Sequence, residues 1–337
     1  MRPITYQRAT DAPSAVQALA AASANNPLTD AAVQPLAGGT TLLDLMKLDV
    51  MRPSLLVDIN PLSDAWSTVS LDGGNLKLGA LARMSDVADN PEIQRNYPVI
   101  ADSLKLAASP QLRNMASLGG NVLQRTRCTY FRDVSYDNCN KRNPGSGCAA
   151  MDGFNRTHAV LGTSEQCIAT YPGDFAQALM ALDATAEITG KAGVRSMPFA
   201  DLHKAPGNSP QIETSLLPGE LISAFSIQGR WLRSTYLKVR DRQSYEFALS
   251  SAAIALDVQD GTIRDARIAL GGVATIPWRA REAEALLKGQ KFDDALASRV
   301  AEAAFKGASS RKHNAFKIAL GKRVVSRALH QAATMEI

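Results

Sequence analysis

The stretch between Asn121 and Asp174 cannot build a core of its own. It runs 53 positions, holds few apolar residues and many Asn, Gly, Arg and Asp, and contains all four cysteines of the chain, Cys128, Cys139, Cys148 and Cys167. A segment this polar cannot bury enough surface to offset the entropy of ordering it. A metal or cluster shared by the thiols would supply the missing cohesion. The spacing, C-x10-C-x8-C-x18-C, has neither the close Cys pairs of zinc knuckles nor the tighter runs of common iron–sulfur motifs. On chemistry alone, a metal or cluster, disulfides and free thiols all stay open. His158 lies inside the stretch and, with four thiols at hand, reads as a hydrogen-bonding loop residue. Arg125, Arg127, Arg132, Lys141 and Arg142 either balance an anionic cluster or form a solvated basic loop.

Two Gly-Gly turns frame what precedes this stretch. Gln34-Pro35-Leu36-Ala37-Gly38-Gly39-Thr40-Thr41 joins a short strand to a helix expected over Leu42–Leu48. Ser117-Leu118-Gly119-Gly120-Asn121 ends a helix-like run about eighty residues later. Glycine lets backbone N–H groups approach an anion closely, and a helix start adds a favourable dipole. Neither turn is a P-loop or a GxGxxG fingerprint. Two such turns suit the two ends of one pyrophosphate, which points to a dinucleotide.

Along the rest of the chain, strands are expected at Ile4–Arg8, Leu55–Ile59 and Leu221–Ile227, with hairpins at Trp66–Leu71/Leu76–Leu81 and Ala184–Thr189/Val194–Phe199. Helices are expected at Ala12–Ala22, Val99–Ala108 and Phe175–Leu182. Past Gly229 the order changes. Strand-like runs at Thr235–Arg240, Ala252–Val258 and Arg264–Leu270 precede helical ones at Arg279–Leu287, Asp293–Phe305 and Asn314–Leu329, reading as a separate α+β unit. The net charge of +5 is dispersed and aromatics are only 6%, which argues against nucleic acid. No apolar run is long enough to span a membrane, and the N-terminus lacks a signal-peptide core. His203, His313 and His330 are isolated. With no Ser/His/Asp or paired-carboxylate arrangement, any redox chemistry must come from a bound cofactor.

Taken in order, Ala37-Gly38-Gly39-Thr40-Thr41-Leu42-Leu43-Asp44, Ser117-Leu118-Gly119-Gly120-Asn121, Pro218-Gly219-Glu220-Leu221-Ile222, Lys238-Val239-Arg240-Asp241-Arg242 and Ala269-Leu270-Gly271-Gly272-Val273-Ala274 with Pro277-Trp278-Arg279 resemble the FAD-binding subunit of molybdenum hydroxylases, the xanthine dehydrogenase and aldehyde oxidoreductase family. The resemblance covers nearly the whole chain. It implies an α+β fold, with a PCMH/VAO-type FAD-binding domain over residues 1–228 carrying the four-cysteine insertion at about 122–173. A C-terminal domain of the CO dehydrogenase flavoprotein type, with a three-stranded sheet and helices, would follow over 229–337. Leu36, Ala37, Gly38, Gly39, Thr40, Thr41, Leu42, Leu43, Ser117, Gly120 and Asn121 would hold the FAD pyrophosphate. Asp174 would contact the adenosine, Ala107 and Ile222 would line the cofactor, and Lys238 would sit near the flavin ring.

Common members of the family have a far shorter connection between the second turn and the next helix. The longer one here is similar to that of bacterial periplasmic aldehyde oxidoreductases. That similarity implies a [4Fe–4S] cluster on Cys128, Cys139, Cys148 and Cys167, serving mainly to fix the loop. The implied assembly is a heterotrimer with a molybdenum cofactor-binding large subunit that oxidises an aldehyde and a small subunit with two [2Fe–2S] clusters. FAD in this chain would pass electrons to oxygen, a dye or a protein. NAD is disfavoured because the Arg240–Tyr245 segment is short. Such a complex would be periplasmic if exported folded with a partner bearing a twin-arginine signal, and otherwise cytoplasmic. A purine- or CO-type hydroxylase and a non-enzymatic iron–sulfur module are the alternatives.

Overall fold

The computed structural model describes residues 1–20 and 28–337. Three sheets follow one another along the chain. In the first, β1 (Thr5–Arg8) and β2 (Val33–Leu36) flank β3 (Leu55–Asp58) in parallel register, with Val57 between Gln7 and Pro35. The connections run through α1 (Ala12–Leu19) and α2 (Leu42–Lys47). Asp11 starts α1 with a capping box: its carboxylate accepts from Ser14 N–H at 2.8 Å, and Ser14 Oγ accepts from Asp11 N–H at 3.1 Å. Positions 21 and 22 of the expected longer helix lie outside the described residues.

A short helix α3 (Ser63–Trp66) leads into the second sheet. Its order is β4 (Val69–Asp72), β5 (Asn75–Gly79), β8 (Leu221–Ile227), β6 (Thr185–Gly190) and β7 (Gly193–Pro198), antiparallel throughout. Between β5 and β6 the chain forms α4 (Met84–Asp89), α5 (Pro91–Asn96), α6 (Pro98–Lys105), α7 (Pro110–Met115), α8 (Leu118–Val122), α9 (Thr129–Arg132) and α10 (Phe175–Ala181). Proline opens each of α5, α6 and α7, at the helix position where its missing N–H costs nothing. The sequence signal for α4 and α5 is two short turns without apolar periodicity, and the pattern reading passes over both. The second Gly-Gly segment is helical too. Ser117 caps α8 by accepting from Gly120 N–H at 3.2 Å.

The third sheet runs β9 (Ser234–Val239), β10 (Ser250–Gln259), β11 (Thr262–Gly271) and β12 (Trp278–Arg279). The three expected strands are therefore joined by a fourth of two residues. Arg279 belongs to that strand, and α11 begins only at Arg281 (Arg281–Leu287). With α12 (Asp294–Ala304) and α13 (Phe316–Ala333) it covers one face of the sheet. The other face packs on α6 and α10. Alternation along β10 serves both sides: Ala252, Ile254 and Leu256 join the C-terminal core, while Ala253 and Ala255 join the core of the preceding domain. The C-terminal unit therefore shares a core boundary with the first domain. Among the described residues no helix is long and apolar enough to cross a membrane.

Candidate functional site

Both glycine turns open onto one cavity of 490 Å³ between the first two sheets. Ala37, Gly38, Gly39, Thr40, Thr41 and Leu42 line it from the first turn, Ser117, Gly119 and Gly120 from the second, and Gly219–Ile222 from the start of β8. Gly39 has φ +72, and a Cβ there would lie 3.0 Å from Leu43 Cδ1 and 3.2 Å from Leu36 Cδ1. Leu36 and Leu43 thus form the floor beneath the turn and do not face the cavity. Gly38 lies against the other turn's approach: a Cβ on it would fall 2.0 Å from Met115 O. A chain of side chains holds the two turns in that contact. Asn60 Nδ2 donates to Ala37 O at 3.1 Å, Arg83 Nη2 donates to Asn60 Oδ1 at 3.2 Å, and Arg83 Nη1 donates to Met115 O. Neither Asn60 nor Arg83 stands out in the sequence, because their partners come from remote segments.

The two turns differ in what they can offer an anion. Thr41 precedes α2 without a side-chain cap, so the first turn of that helix is not closed off by it. At the second turn the donors are committed inside the protein: Leu118 N–H to Ala82 O at 3.0 Å, Gly119 N–H to Ala80 O at 2.8 Å, Gly120 N–H to Ser117 Oγ and Asn121 N–H to Ser117 O at 2.8 Å. The glycines there serve close packing, since a Cβ on Gly119 would meet Ala80 at 3.1 Å. Asn121 stays off the cavity wall, and its buried Oδ1 has no partner among the described residues.

Three expected site residues gather elsewhere. Lys238 Nζ donates to Asp174 Oδ2 at 2.7 Å and to Leu106 O at 3.1 Å, while Tyr236 O–H donates to Asp174 Oδ1 at 2.6 Å. The pair is buried, with side chains 1% and 4% exposed. Ala107 adjoins it. The sequence reading puts Asp174 at the adenosine and Lys238 at the flavin ring. Their contact places both at one point of the fold. None of the three lines the 490 Å³ cavity.

The cysteine stretch walls the same cavity through Leu123–Thr126, Lys141 and Ala169–Tyr171. Its basic residues are paired, not solvated. Arg125 Nε and Lys141 Nζ both donate to Glu213, at 2.5 and 2.8 Å. Burial works to raise the Glu213 pKa, and the two cations outweigh it, holding the carboxyl below the usual range. Arg132 grips Asp44 on α2 with two bonds, of 2.8 and 3.1 Å, and Arg127 adds a third at 3.1 Å. Arg142, 7% exposed, ties the loop by donating to the carbonyls of Tyr130, Phe131 and Tyr136. Phe131, Cys128, Cys139 and Cys167 pack on Leu45 and Met46 of α2 and on Leu56. Full burial of Phe131 alone contributes about 2 kcal/mol.

All four cysteines line one enclosed cavity of 10 Å³ behind that wall, and all are free thiols. Lys141 and Ala169 line both cavities, so a single layer of residues separates them. Burial pushes the Cys128 thiol up to about 12 and the Cys167 thiol to about 11. His158 Nε2 lies 3.1 Å from Cys128 Sγ, and burial together with the Lys317 charge lowers its pKa to about 4. Among the described residues no three potential ligands converge on a single-ion site.

Residues 2–227 match the family described as the FAD binding domain in molybdopterin dehydrogenase, and residues 235–332 the CO dehydrogenase flavoprotein C-terminal domain. The chain is 47% identical over 302 residues to the aldehyde oxidoreductase FAD-binding subunit PaoB of Escherichia coli, covering 88% of this chain and 90% of that one. It is 27% identical to the glyceraldehyde dehydrogenase medium chain of Sulfolobus acidocaldarius, over 80% and 78% of the two chains. Among solved structures, carbon monoxide dehydrogenase from Hydrogenophaga pseudoflava shares the fold at a TM-score of 0.75 and 23% identity, covering 98% and 97%. Quinoline 2-oxidoreductase from Pseudomonas putida 86 does so at 0.73 and 25%, also over 98% and 97%.

Proposed function

As this chain belongs to the family of FAD-binding subunits of molybdenum hydroxylases, we propose that it is the electron-transfer flavin subunit of a heterotrimeric, molybdenum-dependent aldehyde oxidoreductase. The observation that carries the cofactor assignment is the single cavity onto which both glycine turns open. The residues present suit FAD: Gly38 and Gly39 keep the first turn free of side chains, and Arg125, Lys141 and Glu213 on the wall are paired with one another. Ala37–Leu42 hold the pyrophosphate over the uncapped start of α2, with Ser117 and Gly120 opposite. Ile222 and Gly219 support the remainder. Bound FAD supplies a store that takes electrons one at a time and releases them singly or in pairs. The protein's part is to hold it against the insertion wall and exclude water.

The aldehyde class is supported by the 47% identity to PaoB, whose name gives that activity. Substrate oxidation falls to a molybdenum subunit, and a [2Fe–2S] subunit delivers the electrons. Four free thiols on one cavity, with Lys141 the lone charged group on its wall among the described residues, are a donor set that suits a [4Fe–4S] cluster. A periplasmic location follows if the complex is exported folded with a signal-bearing partner.

The test is to express the chain with its partner subunits and assay each cofactor. One FAD and eight iron per heterotrimer, four from the [4Fe–4S] cluster and four from the two [2Fe–2S] clusters of the small subunit, are expected, with flavin bleaching on addition of an aldehyde but not xanthine or carbon monoxide. Flavin bleached only by a purine or by carbon monoxide would replace the aldehyde reading.

A further inference from the structure

Lys317 is a fully buried lysine with no carboxylate partner among the described residues. Its Nζ donates to three backbone carbonyls, Thr157 O at 3.0 Å, His158 O at 3.0 Å and Gly272 O at 2.5 Å. Asn314, also fully buried, donates to His158 O at 3.4 Å and Ala159 O at 3.1 Å. One turn further out, His313 N–H donates to Asn155 Oδ1 at 3.0 Å, and Asn155 Nδ2 donates to Ala150 O at 3.0 Å. The C-terminal domain thus commits a buried cation and a buried amide to fixing the backbone on either side of His158. A buried lysine is costly unless its hydrogen bonds are satisfied, so the fixed segment matters to the fold or to the site.

What the clamp fixes is an imidazole, 3% exposed, with Nε2 at 3.1 Å from Cys128 Sγ. Its Nδ1 is buried with no partner among the described residues. A thiolate ligated to iron has no proton to give, so a hydrogen bond in this contact must run from the imidazole N–H to sulfur. Such a bond withdraws charge from the sulfur and favours the reduced, more negative state of a cluster. Cys167, by contrast, receives the backbone N–H of Ala169 at 3.4 Å. We infer that His158 is a positioning residue for the iron–sulfur site: held by Lys317 and Asn314, it donates to the Cys128 thiolate and raises the reduction potential of the cluster without ligating iron. The inference rests on the four-cysteine cluster reading above.

The experiment compares the assembled complex with His158→Leu and His158→Gln variants. Iron and acid-labile sulfide are assayed first, and the cluster is then titrated potentiometrically by EPR. Both variants are expected to retain the wild-type iron content. At the wild-type midpoint potential the reduced-to-oxidised ratio of His158→Leu should fall about tenfold, equivalent to about 59 mV for a one-electron couple. His158→Gln keeps an N–H and should fall less. A wild-type titration curve for His158→Leu overturns the inference. So does loss of iron from both variants, which would make the imidazole a ligand. If His158→Leu does not fold, pulsed EPR of the reduced wild-type cluster decides: weak nitrogen coupling is expected, and either none or the strong coupling of direct ligation refutes it. A wild-type complex with no iron and sulfide beyond what the two [2Fe–2S] clusters of the small subunit account for would instead remove the cluster reading itself, before any variant is made.

Discussion

Gly38→Ala is the smallest perturbation that tests how the cofactor cavity is held together. The added Cβ would lie 2.0 Å from Met115 O, against 3.4–4 Å for ordinary contact, so the two turns must part by about 1.4 Å. The Ala37–Asn60–Arg83–Met115 chain resists that separation. Overpacking of this kind costs about 1–3 kcal/mol. If the strain falls on the bound state, the FAD dissociation constant rises between about fivefold and a hundredfold, at about 1.4 kcal/mol per decade. The assay is a fluorescence titration of the deflavinated chain with FAD, paired with thermal unfolding. Gly321→Ala is the control: its Cβ would lie 2.0 Å from Phe305 Cζ in the C-terminal domain, so it should lower the melting temperature and leave FAD affinity alone. Wild-type affinity and stability in Gly38→Ala would refute the proposed geometry of the turns.

Lys238→Met should destabilise the protein by about 3–5 kcal/mol by leaving the Asp174 carboxylate buried without its cation. Adding Asp174→Asn should recover most of that in denaturant unfolding, whereas additive losses would show that the pair is not coupled. Burial holds His203 at about 4, below its ordinary 6.5; it stays neutral when folded, and the unfolded chain takes up the proton first. Its contribution to stability is therefore complete above about pH 6.5 and is lost as pH falls toward 4, at up to about 1.4 kcal/mol per pH unit. His203→Asn should flatten the melting temperature over that range, and an unchanged acid slope would exclude the residue as its source. Cys139→Ser should lower iron content and expose residues 122–173 to limited proteolysis. If the complex instead stays intact with full FAD, yet its flavin is no longer reduced by aldehyde, the cluster is a relay and not chiefly a brace.

Elements with strong local patterns were legible, and those set by distant partners were not. β8 forms over Leu221–Ile227 as expected, because a strand buried on both faces reads as a mostly apolar run, interrupted here only by Ser223 and Ser226. The first Gly-Gly turn was legible for the same local reason, since Gly39 needs φ +72. At the second, the N–H groups are taken up inside the protein. Its glycines look the same in the sequence, but Ala80 and Ala82 already accept those donors from a remote segment. The pairings Asp174–Lys238 and Glu213–Lys141 join residues 64 and 72 positions apart, and no spacing rule reaches that far. Glu213, Arg83 and Asn60 were therefore invisible as site residues until the sheets brought them together.

The insertion poses the sharpest version of that problem. Judged alone, its fifty-odd residues lack a core, and ordering them costs on the order of 1 kcal/mol each. The structure removes the premise of isolation. Phe131 and three of the thiols complete a core whose other half is Leu45, Met46 and Leu56 of the first sheet layer. Arg132 closes that contact on Asp44, two residues into α2 and directly behind the glycine turn. On the opposite side Lys317 and Asn314 hold the segment to the C-terminal domain. Host contacts therefore carry much of the ordering, and four metal–thiolate bonds need not offset the whole of it. Because Arg132 ends on the helix that follows the first glycine turn and Lys141 ends on Glu213 of the cavity wall, the insertion is mechanically continuous with the FAD site. That continuity ties the cysteine stretch to the cofactor cavity through the host fold.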